Sequence, residues 1–504
     1  MVLGAQLTNP YTVTNMQAAF ATLALEDPEF CDNSFNVRTT HYYVKFKPQN
    51  EDDVEAIIDD STLILYDYPL DRKIVNNGNY YKDPTLSEST PNYRYACVPY
   101  GYTFPNVQYD IIANLYIPEE DPLLVYDDDS ELDICVDKLV YEALSITGNL
   151  DSFNIVEPDT NAPEPLFSRR SKWNPSGIIR FHDNTLVPPS TTEKVGWKGL
   201  EGVKVRVRRW FTTREALTDA NGYYFINEKF RRDVNYSIKW ERQNFQLNLA
   251  TVGQLYFEGP KQTGAWVLNI GPGLANMIST VHMAAMDYYY KYYYVNLSSP
   301  PLNTFWTPRL NIGIYYEYNS DANGDCRPWA RTFGLYNVIR IYRPNRKAHE
   351  IYGTAIHKLA HYSHWNIAGA STYNNASGKL RDSWCRLVQW IFANKRYKNY
   401  YGLANFDHYF GWQSYNLSSS SAVSSMHDGY TPVFIDLVDN WNQYTENGNS
   451  AYFVTDPISG FTAKDVEDAL PDCESLNSIK AKLDQLNKTS STDLYNLFEF
   501  YNNI

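Results

Sequence analysis

Two spacings of apolar side chains alternate along the chain, and each predicts a different element. In GLEGVKVRVRRWFTTREALTDANGYYFI, residues 199–226, Val203, Val205 and Val207 alternate with Lys204, Arg206 and Arg208. That period of two predicts a β-strand, and Asn221-Gly222 predicts the hairpin turn that follows. In LANMISTVHMAAMDYYYKYYY the apolar residues fall at Leu274, Ile278, Val281 and Ala285, the repeat of a long helix. Near the N-terminus, THYYVKF, NEDDVEAIIDD and TLILYDY read as strand, helix and strand. YRYACVPY and NVQYDIIANLYI begin a second such unit, which predicts a small α/β layer of the ferredoxin-like kind. ELDICVDKLVYEALSI predicts a helix packed against that layer, and the run YDDDSELD before it reads as an acidic helix start, with cation chelation as the alternative.

The patterns dissolve in EPDTNAPEPLFSRRSKWNPSG, residues 157–177, where Pro and Asn mark a connection. The expected fold class is therefore a multidomain α+β protein in three units. These are an N-terminal α/β domain over 1–165, a central antiparallel β-sandwich over 170–262, and a mainly helical domain over 263–504. The last unit contains the strand-like RLNIGIYYEY and YNVIRIYR, then AIHKLAHYSHW at 355–365, and closes on the helical pair SIKAKLDQLNKTSSTDLYNLFEFY.

The candidate chemistry sits in AIHKLAHYSHW. With no Gly or Pro it predicts a helix, and at about 100° per residue His357, His361 and His364 share one face. Two His one turn apart can hold one zinc ion, as in the H-E-x-x-H metallopeptidases, where the Glu is the general base. Here Lys358 occupies that position. An ammonium cannot take a proton from a metal-bound water, and it repels a dication. The third ligand is expected from Asp382, 21 residues after His361 at the start of DSWCRLVQWIFANKRY, and His364 is an additional candidate one turn beyond. Surrogate bases are Glu350, Asp436 and Asp439, and Tyr430 is a candidate oxyanion donor. NSDANGDC, residues 319–326, resembles the start of a calcium loop, but its twelfth position is Ala330, which favours a polar hairpin.

Composition narrows the partners. A formal charge of −14, from 58 acids and 44 bases, argues against nucleic acid. No apolar run is long enough for a transmembrane segment. The six Cys, at 31, 97, 135, 326, 385 and 473, form no C-x-x-C pair, so neither a cysteine metal site nor a disulfide scaffold is predicted. The 43 Tyr and 12 Trp suit amphipathic binding surfaces. The basic strand KVRVRRW reads as solvated arginines on an outer face, with anion binding as the alternative. Five N-x-S/T sequons, at Asn235, Asn296, Asn375, Asn416 and Asn487, matter only in a eukaryotic secretory host.

Two resemblances sharpen these readings. Gly202 to Val205 and Thr218 to Tyr224 match the G-V-x-V strand and T-D-x-x-G-x-Y hairpin of the carboxypeptidase regulatory-like, transthyretin-like domain family, which implies a spacer or adhesive platform. The chain as a whole resembles zincin-like cell-surface lipoproteins of Bacteroidota, whose members look like AIHELAHASHW and ESWARGVQW at the two helices. NPYTVTNMQ, THYYVKFKP, STLILYDYPLD, GWKGLEGVKVRVRRWFTT, YTPVFIDLVD and SGFTAKDVEDAL look like that group too. The resemblance implies that His357 and His361 are metal ligands, that Asp382 stands where Glu is usual, and that Lys358 replaces the catalytic Glu. It implies a lipid anchor on a Cys preceding Met1, and a place on the extracellular face of the outer membrane or in the medium. The function expected is that of a degenerate zinc peptidase acting as a binding protein for a peptide, protein or glycan, with zinc weakened or lost. An active peptidase with a non-standard base and a structural component of a surface assembly are the alternatives.

Overall fold

The computed structural model describes the chain apart from residues 28–29, 32–34, 77, 79, 88–89, 125–129, 151–170, 187–195, 250–254, 305–308, 317–323, 329–337, 343–345, 398–430, 447–453 and 504. Its architecture is mixed α and β. The N-terminal part runs β1 (Val2–Gln6), α1 (Val13–Glu26), β2 (His41–Phe46), α2 (Glu51–Ile58), β3 (Arg72–Asn76), β4 (Arg94–Pro99), β5 (Tyr109–Leu115) and α3 (Glu131–Ile146). Side-chain caps start its helices where the sequence offers them: Thr12 for α1, Asn50 for α2 and Ser130 for α3.

The sheet here is β4-β2-β5, antiparallel throughout. Alternation along β2 feeds two cores. Tyr43 faces Met16 and Ala19 of α1 and Leu139 and Ala143 of α3, whereas Val44 and Phe46 face Ile57 of α2. Helices thus cover both faces, without the split β-α-β crossovers of the ferredoxin-like layer expected above. TLILYDY also departs from expectation, since it contributes a single bridge, Tyr66 to Tyr95, and no strand. The expectation about cysteine is corrected as well. Cys31 and Cys135 form a disulfide that pins the segment after α1 to α3, with Cα atoms 5.6 Å apart. Widely separated partners leave no local spacing signal. The acidic run at 126–129 lies outside the described residues. Asp133, which follows it, is paired with Lys172 at 2.9 Å and with Arg231.

Next come β6 (Ser176–His182), β7 (Trp197–Gly199), β8 (Lys204–Arg209), β9 (Thr212–Leu217), β10 (Tyr223–Phe225), β11 (Val234–Lys239), β12 (Phe245–Leu249), β13 (Tyr256–Gln262) and β14 (Trp266–Ile270). One sheet is β10-β6-β14 with β7 on β6, the other β13-β11-β8-β9, and Tyr236 meets Tyr224 and Trp266 between them. A turn forms at Asn221-Gly222, with Gly222 at φ 80° and both Asn221 N and Tyr223 N donating to Asp219 Oδ1, but it is not the hairpin expected, because it leads from β9 in one sheet to β10 in the other. The sandwich is not wholly antiparallel, however, because β14 pairs with β6 in parallel. Nor do Arg206 and Arg208 face solvent. They are 3% and 7% exposed, lie against the Tyr66 ring, and donate to the Leu65 and Leu70 carbonyls of the N-terminal layer, with Arg206 also paired to Glu215.

The remaining elements are α4 (Leu274–Lys291), β15 (Leu310–Tyr315), β16 (Gly324–Cys326), β17 (Ile339–Tyr342), α5 (Ala348–Ala368), α6 (Ala370–Asn375), α7 (Gly378–Tyr397), α8 (Val433–Val438), α9 (Gln443–Glu446), α10 (Ala463–Ala469), α11 (Leu476–Asp484) and α12 (Ser491–Asn502). Their sheet has the order β12-β15-β17-β16, with the first three strands parallel and β16 antiparallel at the edge. It borrows β12 from the segment that otherwise builds the sandwich. Helix α4 lies on β12, and α5 lies on β17 and β16. Tyr352 Oη of α5 and Arg396 of α7 both reach Asp287 of α4, at 2.9 and 3.1 Å, so one buried carboxylate sets the order of three helices. One continuous core runs from the sandwich through this sheet into the helices. No helix among the described residues is long and apolar enough to cross a membrane.

Candidate metal centre

The site begins with how α5 is held. Its first free amides are satisfied from outside the helix: Ala348 N donates to Asn184 Oδ1 at 2.7 Å and His349 N to Thr185 Oγ1 at 3.0 Å. Glu350 accepts from Lys347 N at 2.9 Å and pairs with Arg346, also at 2.9 Å. It is a capping residue two turns from His357, not a surrogate base.

Helix α7 packs along α5 in the opposite direction. At Gly353 an added Cβ would lie 2.8 Å from Gln389 Nε2, so the helices approach closely one turn before His357. Farther along, His357 and His361 face Asp382 and Cys385, which lie three apart on one face of α7. Asp382 Oδ1 is 3.6 Å from His357 Nε2 and 3.2 Å from His361 Nε2. The ligand atoms of His357, His361 and Cys385 all lie within 4.8 Å of one another.

These separations suit a shared ion. Two light ligand atoms each about 2.1 Å from a tetrahedral metal stand about 3.4 Å apart, between the two values found. The protonation states suit it too. Burial drives the His357 imidazole down to about 3, with Lys358 and His361 adding to the shift and Asp382 opposing it, and burial likewise lowers His361. Burial works against charge on Asp382, but hydrogen bonds from both imidazoles hold its carboxyl well below the usual carboxylate range. Neutral imidazoles and an ionised carboxylate are the forms that bind metal. Tyr373 Oη lies 3.0 Å from His361 Nδ1, the kind of outer contact that fixes a ligating ring.

Lys358 is half-buried, and its stem runs along the edge strand, with Cγ 3.4 Å from where a Cβ on Gly324 would stand. Its charge acts on both imidazoles and on the thiols of Cys326 and Cys385. His364 does not join the group. It is fully buried, edge-on to the Tyr373 ring at 5.1 Å, and neither ring nitrogen has a hydrogen-bond partner among the described residues. Asp436 is engaged elsewhere: it is fully buried between Gln443 Nε2 at 2.6 Å and Tyr501 Oη at 2.7 Å, tying α8 to α9 and α12. Asp439, at the end of α8, raises the carboxyls of Asp436 and Asp456 and belongs to that cluster. Tyr430 and residues 319–323 of the calcium-like segment lie outside the described residues.

Cys385 and Tyr373 escaped the sequence reading. Tyr373 carries no signal, but Cys385 does, since it lies three residues after Asp382 in a predicted helix and so shares its face. No protein-family model and no curated protein matches the chain.

Proposed function

We propose that the chain from α4 onward, with β12 completing its sheet, forms a zincin-like unit that has lost peptidase chemistry, and that the chain is a cell-surface protein binding an extended peptide beside the old catalytic helix. The observation that carries this reading is Lys358. It occupies the general-base position of an H-x-x-x-H helix whose two imidazoles and facing carboxylate keep metal-ligand spacing. Loss of a general base alone removes about 10²- to 10⁴-fold of rate. Neither Glu350 nor Asp436 stands where it could replace that base.

The sheet supports the same reading. An antiparallel edge strand, β16, borders the His helix, and such an edge can pair with an extended peptide while side-chain pockets select it. The finer domain reading belongs here as well: a transthyretin-like platform built on two sheets, with the zincin-like unit beyond it. The Cys31–Cys135 disulfide fits an oxidising compartment and hence the surface or secreted location. Zinc is the metal proposed, held by His357, His361 and Asp382, where it would polarise whatever oxygen or sulfur completes its shell.

The test pairs two assays on the zinc-loaded chain. Labelled casein and a mixed peptide library are expected to remain uncut, and immobilised protein is expected to retain members of the library. Turnover that is abolished by His357→Ala would overturn the reading in favour of a working peptidase. Retention of sulfated or neutral glycans instead of peptides would move the ligand class.

A further inference from the structure

We propose that Cys385 is itself a ligand, so that the centre closes around a borderline-soft dication such as Zn²⁺ or Co²⁺ through four protein groups: His357, His361, Asp382 and Cys385. The inference rests on reading the His pair as a metal site, and it changes what that site is for.

The geometry comes first. Asp382 and Cys385 project from successive turns of α7 toward the two imidazoles on successive turns of α5, so the four donors converge from two antiparallel helices. A sulfur about 2.3 Å and a nitrogen about 2.1 Å from one tetrahedral ion stand about 3.6 Å apart. Cys385 Sγ already lies within 4.8 Å of a ring nitrogen of each histidine, and Asp382 Oδ1 lies 3.6 and 3.2 Å from their Nε2 atoms, so closure around one ion asks the thiol and the carboxylate to turn toward each other. The residue is fully buried in the helix interface.

Charge points the same way. Imidazoles coordinate in their neutral form, so a dication and one carboxylate leave a net positive centre, and Lys358, next to His357 on the same helix, adds a positive charge beside it. One thiolate neutralises the ion. Coordination forms the metal–sulfur bond and releases the thiol proton to water, which a bound dication drives even for a buried cysteine. Two nitrogens, one oxygen and one sulfur favour zinc or cobalt over magnesium or calcium. Four protein ligands also leave no open position for a water, which makes the centre a staple between α5 and α7 rather than a hydrolytic site.

Cobalt titration of the full chain under reducing conditions tests this directly. The wild-type protein is expected to bind one Co²⁺ with intense visible bands of tetrahedral coordination and a near-ultraviolet sulfur-to-cobalt charge-transfer band. Cys385→Ser is expected to lose the near-ultraviolet band and at least about tenfold in affinity, and Cys326→Ser to retain both. The inference is overturned if wild-type protein takes up no cobalt, if bound cobalt shows no sulfur band, if the band survives Cys385→Ser, or if it disappears in Cys326→Ser. Circular dichroism and the melting midpoint of each variant are measured first, and only variants folded like the wild type enter the spectral comparison. Failure of the non-peptidase reading is separate, being read from casein turnover.

Discussion

At the scale of single residues, the centre is a set of exchanged charges. Lys358, Asp382 and Cys385 place a cation, a carboxylate and a thiol around two imidazoles. Lys358→Glu is therefore expected to tighten Co²⁺ binding by about tenfold or more, because an opposite charge replaces a like charge within a few ångströms of the ion. That substitution alone should leave casein uncut. Only with Cys385→Ala beside it, which reopens a coordination position, is hydrolysis expected, and its absence in the double variant would show that Asp382 is too short to hold a catalytic ion. Three of these residues were legible without coordinates. The spacing of His357 and His361 defines a helix face, and the distance to Asp382 suggests the second helix. Cys385 was passed over because cysteine signals are sought as pairs in sequence, whereas here the pairing is between one cysteine and histidines of another helix.

Among the elements, those whose pattern is local were read well. Helix α3 coincides with its sequence expectation, and β2, α2, β4 and β8 fall within theirs. What failed is what covers a face. Alternation in KVRVRRW shows two sides but cannot show that the N-terminal layer settles on the arginine side, burying Arg206 against Glu215 and the Leu65 carbonyl. Arg206→Ala is accordingly expected to cost less than the about 3 to 5 kcal/mol of a fully stranded buried charge, since Glu215 keeps Lys204 at 3.1 Å, with Arg206/Glu215→Met/Leu costing less again; denaturant titration reads both. The disulfide is the second element-scale prediction. It spans 104 residues, and Cys31→Ser/Cys135→Ser is expected to lower stability by about 2 to 4 kcal/mol, seen as a lower melting midpoint without loss of cobalt binding.

Across the whole molecule, a buried acid cluster gives the fold a pH dependence of its own. Burial raises the Asp456 carboxyl to about 8, with Asp439 adding to the shift, and burial together with Asp456 and Asp439 raises Asp436 well above the usual range. A folded value above the unfolded one means that the folded chain holds more protons. Its contribution to stability is complete below about pH 4 and is lost as the pH rises to about 8. Asp456→Asn is expected to reduce that slope, leaving the share of Asp436, so its melting temperature should gain on the wild type steadily between those limits, and a parallel offset would refute the assignment.

Strand β12 has a last consequence. The chain lays this strand on the sheet beneath the His helix and only then returns to complete the sandwich with β13 and β14. The two units are therefore interlaced like stitched cloth, and no single cut separates them. A fragment starting at 263 would leave β15, with its row of Leu310, Ile312 and Ile314, as a bare sticky edge. Anyone wishing to produce the His-helix half should express it joined to its neighbour.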